Sequence, residues 1–441
     1  MIESAVRDKI LEEIDRKSDE MIQFLRDLVR VPSITGTSEE GRVQQVVERK
    51  LREIRGLEID VWEPDIGELE KYPFHPSRVG EWSYRDRPNV VGVLSGSGNG
   101  SSLVLNGHID VVSPEPLANW THDPWSGEIE RGKLYGRGSV DMKGGVAAMI
   151  YAVLCLREAG VELRGDVVIE SVVEEEIGGG GTIGTLLRGY RADAAIVTEP
   201  TGSQAVCVGA GGSRFFKIKI PGKSAVAFKE HLGVNAIGLA NKIYERLLEL
   251  DMQRKSVLEG RHPMFERKNI KSLMSTGKPT SITLGVLRAG DWPTTVAGWA
   301  EIEGRFGFPP SETVAEATEK FERAIQEVAE NDPWMKEHPP EVQWWGPNKA
   351  AYELNPRQTL VKKIVHHVED VTQARCELFA SPNNSDANFL ATRADSYGGI
   401  PSIMYGPGGD NAHAADEYVL IDEVVAVSKV LALTILDWCG H

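Results

Sequence analysis

Short unbroken apolar runs alternate with stretches of helical periodicity along this chain, and that alternation limits what it can fold into. Asn89–Leu94, Ser102–Asn106 (SLVLN), Val167–Val173 (VVIESVV), Ala194–Val197 and Ser402–Tyr405 read as strands. Gly144–Ala159, Thr182–Arg188, Gln358–Val371 and Ile421–Trp438 read as helices. Apolar runs without a polar face suit strands covered on both sides, and the intervening helices supply the cover. The pattern is α/β: a sheet wrapped by helices. Ahead of it, Val6, Ile10, Ile14, Ile22, Leu25 and Val29 recur at near-helical spacing, which predicts one long amphipathic helix ended by Pro32. A helix over Gly41–Ile54 and a strand over Leu57–Trp62 follow, and Glu63–Pro88 reads as a long surface loop.

Near Gly209 the texture changes. Phe215–Ile220 alternates, as a half-exposed strand does. Val234–Leu250 and Glu312–Asn331 read as helices, Ile282–Leu287 and Ala297–Phe306 as strands, together a compact α+β insert. The α/β texture returns after Pro333. At 441 residues the chain exceeds the roughly 250–300 that one core serves, so it is expected to divide into a catalytic domain, 1–212 and 330–441, and an insert, 213–329.

A net charge of −16 makes nucleic acid and anionic membrane poor partners and leaves a small molecule as the expected substrate. No run of about 18 apolar residues predicts a spanning helix. The opening MIESAVRDKILEEIDRK is charged throughout and does not read as a signal peptide. Cys155, Cys207, Cys376 and Cys439 are scattered with no CxxC, as expected of reduced thiols in a cytoplasmic protein.

Five segments place metal-binding side chains at strand ends or adjoining loops: Gly107-His108-Ile109-Asp110, Gly136-Arg137-Gly138-Ser139-Val140-Asp141, Glu174-Glu175-Glu176, Thr198-Glu199-Pro200, and the Gly-rich Gly406–Tyr418 with His413. His108 and Asp110 share a side of an extended chain, so Asp110 can accept the second imidazole N–H and fix the tautomer. Taken singly, each has an ordinary reading: a core histidine, an N-cap aspartate, an acidic turn. Taken together they fall where ligands of open α/β sheets collect, outside the carboxyl ends of strands. Two histidines and three carboxylates, one bridging, satisfy two divalent ions, and nitrogen and oxygen donors without thiolate suit zinc, cobalt or manganese. Other motifs fail. Gly222-Lys223-Ser224 imitates the end of a phosphate loop, but Lys217 stands where that motif needs glycine, and no GxSxG is present.

GHIDVV, GRGSVDMKGG, EEEIGG, TEPT and GPGGDNAHAADEYV, in that order, resemble the aminoacylase and carboxypeptidase G family of two-metal amidohydrolases, which also holds acetylornithine deacetylase and succinyl-diaminopimelate desuccinylase. The resemblance runs from about residue 20 to 438. It implies a phosphorylase/hydrolase-like sheet wrapped by helices, with the insert acting as a lid and a homodimerisation domain over residues 213–329. It implies His108 and Glu199 on one metal, Glu176 and His413 on the other, Asp141 bridging, Asp110 orienting His108, and Glu175 as general base. It implies two divalent ions, zinc first, with cobalt or manganese as alternatives, and a cis peptide at Asp141–Met142. Arg305 would clamp a substrate carboxylate.

The resemblance implies a lid histidine that reaches the partner subunit's site and stabilises the oxyanion, and here that position is Val226, in Gly222-Lys223-Ser224-Ala225-Val226-Ala227. An oxyanion donor is worth roughly 2.7–4 kcal/mol. His231, five residues on, is the substitute the sequence offers, and Ser385-Asp386-Ala387 is expected to line the pocket. The expected activity is metal-dependent hydrolysis of an N-acyl amide on a small, carboxylate-bearing molecule. The alternatives are a metal-dependent aminohydrolase of an aromatic or heterocyclic amine, and a weakly active or regulatory metal-binding protein.

Overall fold

In the computed structural model the described residues are 4–76, 82–267, 270, 272, 274–275, 278–393 and 398–441. The apolar runs assemble into one mixed sheet, in the order Leu57–Trp62, Asn89–Leu94, Val167–Val172, Leu103–His108, Ala194–Val197, Ser402–Met404, Ala205–Ala210, Tyr352–Glu353. Glu377–Ser381 pairs in parallel with Ala205–Ala210. The central four, Val167–Val172, Leu103–His108, Ala194–Val197 and Ser402–Met404, are mutually parallel. Their carboxyl ends therefore share one rim. Every residue of Leu103–His108, Val167–Val172 and Ala194–Val197 is buried, as their unalternating sequences require.

Helix Gly144–Glu158 packs on this sheet and against Ser4–Arg16, Ser18–Val29 and Ile421–Cys439. It is apolar all round because it is covered all round; its buried residues run from Gly144 to Leu156. The expected single N-terminal helix is two, since Lys17 (φ −97°, ψ 5°) interrupts it. The Glu63–Pro88 stretch holds a short helix, Ile66–Leu69, capped by the Asp65 side chain, which accepts from Glu68 N at 2.9 Å; residues 77–81 lie outside the described residues.

The insert has its own core. Four antiparallel strands run in the order Ile282–Ala289, Trp299–Phe308, Gly212–Pro221, Glu341–Lys349, with helices Ala236–Val257 and Val314–Glu330 packed against them. Phe216, Ile218 and Ile220 point into that core, the alternation read from the sequence. The sequence boundary at 329 is corrected. Strand Glu341–Lys349 pairs with Gly212–Pro221, and Trp344 packs against Phe216, Phe306 and Phe321. Pro333 misleads because it opens a helix instead of breaking one. Asp332 caps Pro333–Glu337, and proline is well placed in a first helical turn.

A small second sheet (Ile129–Glu130, Lys133–Tyr135, Tyr418–Leu420, Gly409–Asp410) ties the loop carrying His413 to the chain leading into Asp141.

Candidate active site

All five segments meet at the rim of the parallel strands. His108, 1% exposed, is the last residue of its strand. Its Nε2 lies 3.2 Å from Asp141 Oδ1. Its Nδ1 lies 2.9 Å from the main-chain oxygen of Asp110 and 3.6 Å from the carboxylate. The expected carboxylate contact is therefore replaced by a carbonyl, and that carbonyl fixes the proton on Nδ1. The Asp110 carboxylate is committed elsewhere. It accepts from Glu175 N at 3.1 Å, Glu176 N at 3.3 Å and the Thr35 hydroxyl at 2.8 Å. Asp110 thus sets the backbone of the two glutamates more than the imidazole.

Asp141 lies between two histidines: Oδ1 faces His108, and Oδ2 lies 3.3 Å from His413 Nε2. His413 Nε2 is also 3.0 Å from Glu176 Oε2. Donor atoms of His108, Asp141 and Glu199 lie within 4.8 Å of one another, and so do those of Asp141, Glu176 and His413. The Asp141–Met142 peptide is cis, as the resemblance implied. Behind Asp141, Glu417 accepts from Val140 N at 3.1 Å and Asp141 N at 3.2 Å and forms a buried ion pair with Arg137. Helix Gly144–Glu158 starts so close to the rim that a Cβ on Gly145 would stand 2.0 Å from the Thr198 carbonyl, which explains the paired glycines.

Burial and mutual proximity dominate the electrostatics of these groups. Burial, then the nearby Asp141 charge, raises the Glu176 carboxyl to about 7, and the same two causes push Glu199 well above the ordinary carboxylate range. Hydrogen bonds to Asp141 and Glu176 raise His413 to about 11. No lysine or arginine forms an ion pair with Asp141, Glu176 or Glu199 among the described residues. Three carboxylates and two imidazole nitrogens gathered this closely are a donor set that fits two divalent ions.

Glu175 lines the same cavity but belongs to neither ligand group. Its Oε1 accepts from Lys349 Nζ at 2.6 Å. Burial by itself would lower the lysine's pKa, but Glu175 and Asp386 hold it above its ordinary value. A cavity of about 390 Å³ opens over Glu175 and both ligand groups. Its far wall includes Phe215, Met274, Arg305, Pro347, Asn383 and Asn384. The pocket residues are Asn383 and Asn384, ahead of the expected segment. Ser385 turns its hydroxyl to Met404, and Asp386 sits behind, accepting from the Thr182 hydroxyl at 2.6 Å. Lys349 and the Arg137–Glu417 pair are the participants that sequence reasoning missed, and Asp386, expected in the pocket lining, holds Lys349 from behind it.

With this geometry in view, the model of peptidase family M20/M25/M40 matches residues 104–437. The chain belongs to that family. It is an amidohydrolase, and its fold is that of the M20 peptidases. This M20 hydrolase is 29% identical, over 463 aligned positions covering 100% of this chain and 99% of the relative, to the N-formyl-4-amino-5-aminomethyl-2-methylpyrimidine deformylase of Halalkalibacterium halodurans. It shares the fold of the di-peptidase Dug1p from Saccharomyces cerevisiae, with TM-score 0.72, 14% identity and 99% of each chain covered. It also resembles the YXEP protein of Bacillus subtilis, described as a dinuclear metal-binding peptidase of the M20 family, with TM-score 0.62, 15% identity, and 96% of this chain and 99% of that one covered.

In the M20 lid, Val226 precedes the short helix Ala227–Leu232 and bridges to Thr295, and neither it nor the exposed His231 lines the cavity. Arg305 does. Its Nη2 donates to the Pro382 carbonyl at 3.3 Å, burial lowers its pKa, and no carboxylate pairs with it among the described residues.

Proposed function

We propose that this M20 hydrolase removes a formyl or similarly small acyl group from the exocyclic amine of an aminopyrimidine-like heterocycle. The observation that carries this reading is the end-to-end likeness to a deformylase of such a compound. The cavity supports it. Phe215, Asn383 and Asn384 line the same cavity as the ligand groups, and its volume of about 390 Å³ suits a small heterocycle.

His108 and Glu199 would hold one divalent ion and Glu176 and His413 a second, with one oxygen of Asp141 turned to each. Zinc is the ion the donor set suits first, with cobalt or manganese as alternatives. When bound, such a pair supplies Lewis-acid chemistry, acidifying a water and polarising a carbonyl. Glu175 takes the water's proton as the new C–O bond forms and delivers it to the nitrogen as the C–N bond breaks, giving formate and a free amine. Asp110 holds the Glu175 backbone in place throughout.

A second reading rests on Arg305. A half-buried guanidinium without a carboxylate partner among the described residues suits a substrate that brings its own, such as an N-acyl amino acid. The two separate in one assay. Metal-reconstituted protein is given an N-formyl-aminomethylpyrimidine and a panel of N-acyl amino acids, and formate, amino acid and ammonia are quantified. Formate released with the higher kcat/KM supports the deformylase reading. A higher value on the acyl amino acids overturns it in favour of Arg305 as a carboxylate clamp, and ammonia means attack on the ring carbon.

The lid is also read as a homodimer face. Phe228 (80% exposed), Trp292 (68%) and Met252 (64%) lie on it, and Ile282–Ala289 is an edge strand. Light scattering that gives twice the 48.4 kDa chain mass supports this, and a monomer overturns it.

A further inference from the structure

Lys349 ends a strand of the lid sheet, opposite Ser213, yet its ammonium is buried in the catalytic domain. Its side chain is 2% exposed. Nζ lies 2.6 Å from Glu175 Oε1, 3.5 Å from Asp386 Oδ1 and 5.3 Å from the Phe389 ring centre. Asp386 is itself anchored. Its Oδ2 accepts from the Thr182 hydroxyl, which in turn accepts from Asn106 Nδ2 at 2.9 Å. Asn106 belongs to the central strand that ends in His108. The ammonium is thus the last member of a polar chain rooted in the sheet, and it grips one oxygen of Glu175 while leaving Oε2 outside the pair.

We propose that Lys349, held by Asp386, is a positioning residue that fixes the Glu175 carboxylate in one orientation at the cavity beside the two ligand groups. The proposal rests on Glu175 being the general base. A glutamate side chain has several rotamers, and a base must lie within hydrogen-bond reach of the proton it moves. A buried cation on one oxygen selects the rotamer without occupying the other oxygen. Lys349 comes from the lid, so the base is complete only when both domains contribute.

The test uses the full-length, metal-loaded enzyme and the variants K349M, K349R, E175D and K349M/E175D, with kcat, KM, metal content and unfolding midpoint measured for each. K349M is expected to lower kcat about 100-fold while KM and metal content stay within about twofold, and K349R to recover at least about tenfold of that loss. The shorter side chain of E175D cannot make the lysine contact, so adding K349M to E175D should cost less than about threefold. A full 100-fold loss in both backgrounds, or loss of metal in K349M, would mean a structural role and overturn the proposal. So would a wild-type kcat in K349M. If K349M does not fold, D386N and K349R carry the same division, with kcat down about tenfold and KM unchanged in D386N. E175Q keeps the two readings apart. If E175Q is inactive and K349M is normal, only the positioning role falls; if E175Q turns over normally, the base assignment falls with it.

Discussion

Asp110 Oδ1 lies 3.1 Å from the backbone nitrogen of Glu175 and accepts its hydrogen bond. The same carboxylate takes the Glu176 N–H and the Thr35 hydroxyl, so one buried side chain sets the carboxyl end of a central strand. An amide in its place presents N–H to N–H on one side. D110N should therefore lower kcat/KM about 10–100-fold and weaken metal retention, with little change in KM. Steady-state kinetics and metal analysis of dialysed protein check this.

Glu175 reaches the cavity without belonging to either ligand group. E175Q should keep its metal and lose about 10²–10⁴-fold in kcat. Single-turnover rates beside mass-spectrometric metal content decide it.

Glu170 lies in the middle of a central strand, and its carboxyl is raised by burial from 4.5 to about 7, with Asn106 Nδ2 donating to it at 2.9 Å. The folded state therefore keeps a proton that the unfolded chain releases. This contribution to stability is fully present below pH 4.5 and is lost as pH rises through about 7. It amounts to at most about 3 kcal/mol. E170Q stays neutral throughout, so its unfolding midpoint should fall less than the wild type's between pH 5 and 8 in calorimetry.

The candidate ligands were legible because each follows an apolar run or stands among glycines, and a parallel sheet gathers such ends by construction. His108, Asp141, Glu176, Glu199 and His413 meet for that reason. Lys349 carried no such sign. It follows no apolar run, and its partner is 174 positions away on the other domain. The strands Ala205–Ala210 and Glu377–Ser381 passed unread because short apolar stretches without punctuation do not announce themselves. The lid boundary slipped because Pro333 begins a helix where a break was expected. Spacing and resemblance point the Asp110 carboxylate at His108, and neither shows that two backbone amides also reach it.

Val226 does not line its own chain's cavity, where the candidate ligand groups, Glu175 and Lys349 meet. V226H should change deformylase turnover less than about threefold, well below what an oxyanion donor delivers. A gain of a hundredfold on acyl amino acids would instead mark the native chain as attenuated.

The account depends on Asp141 being shared by two cations. Its most direct test is anomalous diffraction from crystals grown with zinc, for the wild type and for D141A. The expected result is two peaks in the wild type, one beside His108 and Glu199 and one beside Glu176 and His413, each about 2.0–2.2 Å from its ligand atoms, and loss of at least one peak in D141A. A single peak, or none, in the wild type would contradict it.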